Sequence, residues 1–253
     1  MSRVVGPDKA GGLEVYAGFQ AGSSRTGNDK IRMKMEINNI ASPGEIKALA
    51  IQLNKNSFGL SPVSQQLVCN PPIRPGQSGA TFVELVTTPA MLAPPPPAGQ
   101  PPVNPQIQVA IKNMQSGTVF YFAVNMNLDA LFAPDSGPME RSTFIEAWKS
   151  IDDKNEMYST ITSLPSDSCD IESVTEKFST NNIHFIARRP GPNNNNDGLQ
   201  EVVYYSMRTI TGMDFLAELT FKKGVNACKL CLKTDNAAYT PLCKQALERI
   251  LKE

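Results

Sequence analysis

Hydrophobic and polar residues alternate regularly along the first half of the chain. Between Leu13 and Phe19 every second residue is apolar, and between Ile31 and Asn38 large apolar residues alternate with charged or polar ones. A period of two is typical of a β-strand that is buried on one face and solvated on the other. Both segments are therefore predicted to be strands of a sheet that is covered on one side.

The rest of the first half contains more short apolar segments separated by turn residues. The segments Asn54–Gly59 and Gln115–Gly117 are predicted turns. The further predicted strands are Leu49–Leu53, Thr81–Thr87, Gln106–Lys112 and Val119–Asn125. Short strands at regular spacing, without a helix among them, predict an immunoglobulin-like β-sandwich over residues 12–128. Residues 1–11 are expected to form a tail or linker.

Past residue 128 the hydrophobic period changes. Met139–Lys149 and Ile171–Phe178 have the three-to-four spacing of amphipathic helices, and Leu242–Leu251 repeats it after Pro241 at a plausible helix start. Strands are predicted at Ile183–Arg188, Val202–Arg208, Phe215–Phe221 and Cys228–Lys233. Residues 129–253 are therefore predicted to form an α+β platform subdomain, an antiparallel sheet flanked by helices.

Composition restricts the classes of function. Lys plus Arg and Asp plus Glu both number 24, so the formal net charge is zero, which disfavours general nucleic-acid binding. The longest apolar stretches are too short to span a bilayer. The absence of a signal peptide and the unpaired number of five cysteines fit a cytoplasmic protein with reduced thiols.

The sequence contains no recognisable catalytic or metal-binding pattern. Cys228 and Cys231 form a CxxC, but no second cysteine or histidine pair completes a zinc set, so neither metal nor cofactor is expected. His184, the sole histidine, lies in an apolar segment and is interpreted as structural. No catalytic residues are predicted. A hydrolase that uses His184 is the competing enzymatic hypothesis.

Two segments have a biased composition. Pro94–Pro97 predicts an exposed polyproline loop, which is either a stiff connection or a ligand for SH3 or WW domains. Asn193–Asn196 is interpreted as a polar loop insertion with no chemistry of its own.

Six segments, in order, resemble the C-terminal appendage (ear) domain of the beta-adaptins, the large beta subunits of clathrin adaptor complexes. They are Ala50–Gly59, Val119–Phe122, Met139–Arg141, Ala147–Lys149, Ile186–Arg189 and Leu216–Leu219. The similarity runs from about Gly12 to the C-terminus. The fold of that family, a β-sandwich followed by a helix-bearing platform, agrees with the division that the hydrophobic pattern predicts.

The resemblance implies a peptide-binding pocket on the platform. Its partners would be endocytic accessory and cargo-selective adaptor proteins that carry short helical motifs with phenylalanines and a trailing arginine. Arg141 and Trp148 are seven residues apart and so share a helix face, while Glu156 and Glu218 would pair with the ligand arginine. The pocket residues implied are Arg141, Trp148, Lys149, Glu156, Arg189, Tyr204 and Glu218.

A second surface is implied on the sandwich, where Tyr121 matches an exposed tyrosine of the family. Strand alternation would turn four side chains outward together. They are Gln108, Ala110, Lys112 and Tyr121.

The resemblance implies a non-enzymatic module that builds clathrin coats in vesicle-mediated transport. It would be cytoplasmic and peripheral on coated membranes, with plasma-membrane pits and trans-Golgi or endosomal membranes both open. The sequence lacks a Leu-rich acidic clathrin box, so clathrin contact would use the folded surfaces or a hinge outside this sequence. Other adaptor subunits would be contacted through the rest of a full-length chain. The alternative is a structural scaffold whose partners bind the proline-rich loop.

Overall fold

A computed structural model describes residues 1–22, 30–94, 96–97, 99, 101–191 and 200–253. The chain divides into two compact units. Residues Met1–Ala21 and Lys30–Met126 form the first, and Gly22 belongs with the residues that follow Met126 in the second. The asparagine run Asn193–Asn196 lies outside the described residues, as does Pro95 of the proline-rich segment.

The described residues of the first unit form nine strands in two antiparallel sheets. The strands are β1 (Ser2–Val5), β2 (Leu13–Gln20), β3 (Arg32–Asn39), β4 (Ile46–Leu53), β5 (Leu60–Pro62), β6 (Gln66–Ile73), β7 (Ser78–Thr87), β8 (Gln106–Asn113) and β9 (Val119–Asn125). One sheet has the order β1-β2-β3-β7-β5 and the other the order β6-β4-β8-β9. Alternate residues of β3 and of β8 are buried, which is the pattern of a sandwich that is solvated on its outer faces. The predicted β-sandwich is confirmed.

Three strands of this unit were missed by the sequence pattern. Strand β1 lies within the expected tail at residues 1–11 and pairs with β2. Strand β6 contains Pro71 and Pro72, and it is an edge strand, where a missing amide donor is tolerated. Strand β5 has only three residues. Short strands and strands containing proline lack the long alternation on which the prediction depends.

The described part of the second unit is a five-stranded antiparallel sheet with three α-helices. Its elements are α1 (Arg141–Ser150), β10 (Glu156–Thr162), α2 (Ile171–Thr180), β11 (His184–Pro190), β12 (Gln200–Arg208), β13 (Asp214–Lys222), β14 (Ala227–Lys233) and α3 (Thr240–Lys252). The strand order is β10-β14-β13-β12-β11. Strand β10 was not predicted, because it is an edge strand in which Ile161 is the only buried residue.

The helices pack on opposite faces of this sheet. Tyr204 and Tyr205 are neighbours on β12 and therefore point to opposite faces. The Tyr204 ring contacts Phe144 of α1, whereas the Tyr205 ring contacts Phe178 of α2 at a centroid distance of 4.8 Å. Helix α3 lies on the same face as α2, since Cys243 contacts Met207. The predicted α+β platform is confirmed.

Candidate functional site

A groove of about 250 Å³ lies between helix α1 and the strands β11, β12 and β13 of the second unit. Helix α1 forms one wall, and the strands form the floor and the other wall. The lining residues are Arg141, Phe144, Ile145, Trp148, Lys149, Ile186, Ala187, Arg188, Arg189, Tyr204 and Glu218. Six of the seven predicted platform residues are among them, and Glu156 is not.

Three aromatic rings form the apolar part of the groove. Phe144 is buried and packs with Ile151 and Leu216 in a core cluster. Its ring stacks on that of Trp148 at 5.5 Å and meets the Tyr204 ring at 5.7 Å. Trp148 and Tyr204 are themselves only half-buried. The core therefore supports two aromatic side chains whose outer surfaces remain open to solvent.

Helix geometry and strand pairing bring the distant residues together. Arg141 and Trp148 lie two turns apart on α1 and both face the groove. On the sheet, Tyr204 is directly opposite Glu218 of β13 and Ala187 of β11. The pairing of β11 with β12 is shifted between Phe185 and Ala187.

Charged side chains of both signs surround the aromatic rings. Arg189 donates a hydrogen bond from Nε to the Tyr204 hydroxyl at 2.9 Å, and its guanidinium lies 3.7 Å from the Glu218 carboxylate. Burial raises the pKa of Tyr204, as does its hydrogen bond with Glu218, while Arg189 opposes the shift. Arg141 and Lys149 add positive charge on the helical wall.

Glu156 occupies a different position from the one that the resemblance implied. Its carboxylate accepts a hydrogen bond from the Cys231 thiol at 2.9 Å and lies 3.7 Å from the Lys233 ammonium. Only 12% of its side chain is exposed. Lys233 in turn contacts Trp148, so Glu156 is linked to the groove through a residue that the sequence analysis did not select. The sequence around Lys233 does not mark it as a site residue, because its burial follows from the pairing of β14 with its neighbouring strands.

Some groove residues were not predicted as site residues, although they lie in segments that the sequence analysis singled out. Phe144 and Ile145 lie four and three residues before Trp148, so helical spacing puts them on the same side of α1. Ile186, Ala187 and Arg188 lie in a segment that carried the resemblance. Strand pairing was needed to show that these two groups face each other.

The four residues predicted on the sandwich share one solvated face of β8 and β9. Ala110 pairs with Tyr121, and Lys112 pairs with Val119, so these side chains are neighbours across the strands. Tyr121 is 71% exposed. Gln108 and Lys112 are exposed, and Ala110 is half-buried.

The side chains considered for catalysis or metal binding lie apart from the groove. The His184 ring packs against Gly137, where an added Cβ would meet the ring at 2.7 Å. All five cysteines are free thiols. The part of the chain that the structure describes contains no group of three or more potential metal ligands. No helix among the described residues is long and apolar enough to cross a membrane.

The fold and the groove define a module with a β-sandwich unit and an α+β platform that presents an aromatic, charged groove. Residues 134–251 match the family described as Beta2-adaptin appendage, C-terminal sub-domain. The chain belongs to the beta-adaptin appendages, and the resemblance recognised from the sequence is confirmed.

Curated relatives are similar over nearly all of this chain. It is 34% identical over 246 residues to the AP-1 complex subunit beta-1 of Mus musculus, covering 96% of the chain and 23% of that protein. The AP-1 complex subunit beta-1 of Homo sapiens is 33% identical over 249 residues, which again cover 96% of the chain and 23% of that protein. The AP-1 complex subunit beta of Dictyostelium discoideum is 28% identical over 251 residues, covering 98% of the chain and 24% of the relative. The chain thus spans less than a quarter of the length of these relatives.

Proposed function

We propose that this chain is a clathrin-adaptor appendage that binds short helical peptide motifs in the groove beside α1. The observation that carries the proposal is the half-exposed pair Trp148 and Tyr204, which is supported by buried Phe144 and flanked by charges of both signs. Aromatic anchors with a polar rim are typical of sites that receive an amphipathic helix.

The charges indicate how a ligand would lie. Its phenylalanines would pack on Trp148 and Tyr204, and its acidic residues would face Arg141 and Lys149. The ligand arginine would pair with Glu218. We assign this role to Glu218 and not to Glu156, because the Glu156 carboxylate is largely buried and already faces Lys233.

In cells, we expect modest affinity for each motif, roughly micromolar, with avidity from many appendages on one coat. The partners would be endocytic accessory and cargo-selective adaptor proteins, and clathrin through the folded surfaces. The module would be non-catalytic, cytoplasmic and peripheral on coated membranes. The three relatives are AP-1 beta subunits, which favours an AP-1-type complex over other adaptor complexes.

Tyr121 supports a second, weaker candidate site. Its exposed ring lies beside the small side chain of Ala110, with Lys112 on the same face and exposed Val119 opposite Lys112. This arrangement suits a short peptide with one apolar side chain and one acidic group. The scaffold alternative would instead place partners on the proline-rich segment.

The test is calorimetric titration of the chain with a peptide containing acidic-Phe-x-x-Phe-x-x-x-Arg. Trp148→Ala should abolish saturable binding, whereas Tyr121→Ala should retain it. Tyr158→Ala is the matched control, because Tyr158 is 74% exposed in the same unit and does not line the groove. Binding that survives Trp148→Ala in a folded protein would refute the groove as the site.

A further inference from the structure

Lys233, the last residue of β14, has a largely covered side chain whose ammonium group reaches the carboxylate of Asp153, which is itself 91% exposed. Only 6% of its side chain is exposed. The Nζ atom lies 3.0 Å from Asp153 Oδ1 and 3.7 Å from Glu156 Oε2. It also donates to the backbone carbonyl oxygen of Trp148 at 3.4 Å, and it lies 5.6 Å from the centroid of the Trp148 ring.

These contacts join four parts of the structure at one positive charge. Trp148 is in the last turn of α1, where backbone carbonyls lack helical partners and the helix dipole favours a cation. Asp153 belongs to the turn after α1, and Glu156 begins β10. The ammonium therefore ties the end of α1 to the strand that follows it.

The same charge restrains the indole ring directly. Phe144 stacks on the Trp148 ring, and Tyr204 meets it edge to face. Lys233 adds a cation–π contact, which is strongest where the cation is shielded from water. Since Lys233 does not line the groove, it contacts the ring from outside the space that a peptide would occupy.

Lys233 remains charged in this environment. Burial acts to lower its pKa, but the hydrogen bond to Asp153 and the charges of Glu156 and Asp153 outweigh that effect, so the pKa is raised. The Lys233 ammonium therefore keeps its charge at neutral pH.

We propose that Lys233 is a positioning residue of the groove: it orients the Trp148 indole and the end of α1, and so sets peptide affinity without touching the peptide. This inference rests on the proposed function for its effect on affinity, but its effect on Trp148 is independent of any ligand. A purely structural Lys233 would only neutralise Glu156.

The experiment uses the intrinsic fluorescence of the chain, because Trp148 is its single tryptophan. Lys233→Met should shift the emission maximum and increase acrylamide quenching, and Lys233→Arg should restore most of the original spectrum. The control is Lys229→Met, on the same face of the same strand but exposed, which should leave the spectrum unchanged.

Peptide titration gives the second measurement. Lys233→Met should weaken binding of the groove peptide about tenfold, while Lys229→Met changes it by less than about twofold. If Lys233→Met fails to fold, the double variant Lys233→Met/Glu156→Gln removes the unpaired carboxylate, and its emission and affinity are compared instead. An altered spectrum and weakened binding in that double variant support the positioning role, because the Glu156→Gln substitution leaves no charge there that Lys233 would be needed to neutralise.

The outcomes separate the two proposals. Wild-type emission and wild-type affinity in a folded Lys233 variant would overturn the positioning role. If the wild-type chain binds no peptide, the proposed function fails, and the emission comparison alone decides whether Lys233 orients Trp148.

Discussion

The rings of Trp148 and Tyr204 meet edge to face, with centroids 6.1 Å apart and planes at 89°. One ring comes from a helix and the other from a strand, so the contact fixes α1 against the sheet. It also places two half-exposed aromatic surfaces side by side.

The Tyr204 ring should matter more for peptide binding than its hydroxyl. Tyr204→Phe removes the hydroxyl, which accepts a hydrogen bond from Arg189 and is hydrogen-bonded with Glu218, and should change affinity by less than about threefold. Tyr204→Ala removes the ring and should cost about tenfold or more. Calorimetric titration with the groove peptide measures both. Equal losses in the two variants would assign the effect to the hydroxyl.

Phe144 should be essential to the stability of the second unit. It is buried between Trp148, Tyr204 and the Leu216 cluster, so Phe144→Ala leaves a cavity and should lower the free energy of unfolding by about 3–5 kcal/mol. Urea unfolding followed by circular dichroism measures the change. The neighbouring exposed variant Ile145→Ala should lower it by less than 1 kcal/mol, roughly as expected of a surface position.

Asn56 should stabilise the turn between β4 and β5. Its side chain is buried; the amide donates to the carbonyls of Asn54 and Leu60, and the amide oxygen accepts from the backbone of Phe58 and Leu60. Asn56→Ala leaves these groups without their partner and should destabilise the chain by about 2–4 kcal/mol. Chemical unfolding beside exposed Asn125→Ala tests this, and similar midpoints would contradict it.

Tyr121 should contribute to binding but hardly to folding. Because most of its side chain is in water, Tyr121→Ala should change the free energy of unfolding by no more than about 0.5 kcal/mol. A large loss in thermal stability would show that the ring is needed for the sandwich. In that case binding losses in this variant would no longer indicate a second peptide site.

His184 should make stability dependent on pH. Burial lowers its pKa from the ordinary value of 6.5, against opposing contributions from the Ala133 carbonyl and Asp135. The unfolded chain therefore binds the proton more readily, so this stabilisation is complete above about pH 6.5 and is lost as pH falls through the lower folded-state pKa. His184→Gln should reduce the difference in melting temperature between pH 7 and pH 5. An unchanged difference would contradict the prediction.

The same variant addresses the hydrolase hypothesis. His184 lies against Gly137, and no hydrogen-bond partner for its Nε2 is found among the described residues. We expect that His184→Gln leaves peptide binding intact. A hydrolytic activity that disappears with this substitution would support the enzymatic alternative.

Elements in which apolar residues recur regularly over many positions were predictable, because the burial of one face imposes that repeat on the sequence. The alternation of β3 and the helical spacing of α2 and α3 belong to this group. Strands β6 and β10 were not predicted, because an edge strand tolerates proline or polar residues on both faces and so lacks the alternation. Prediction therefore failed at the margins of the sheets.

The sequence by itself determined the sandwich, the platform and the helix face that carries Arg141 and Trp148, since each follows from local spacing. Only the tertiary structure decided that Tyr204 and Glu218 lie opposite each other beside that helix, because strand register is a long-range property. It also decided that Glu156 faces inward to Lys233 and that Lys233 is buried beneath Trp148. A charged side chain can be buried only beside partners that strand pairing brings from distant segments, and the residues next to it in the sequence do not identify those partners.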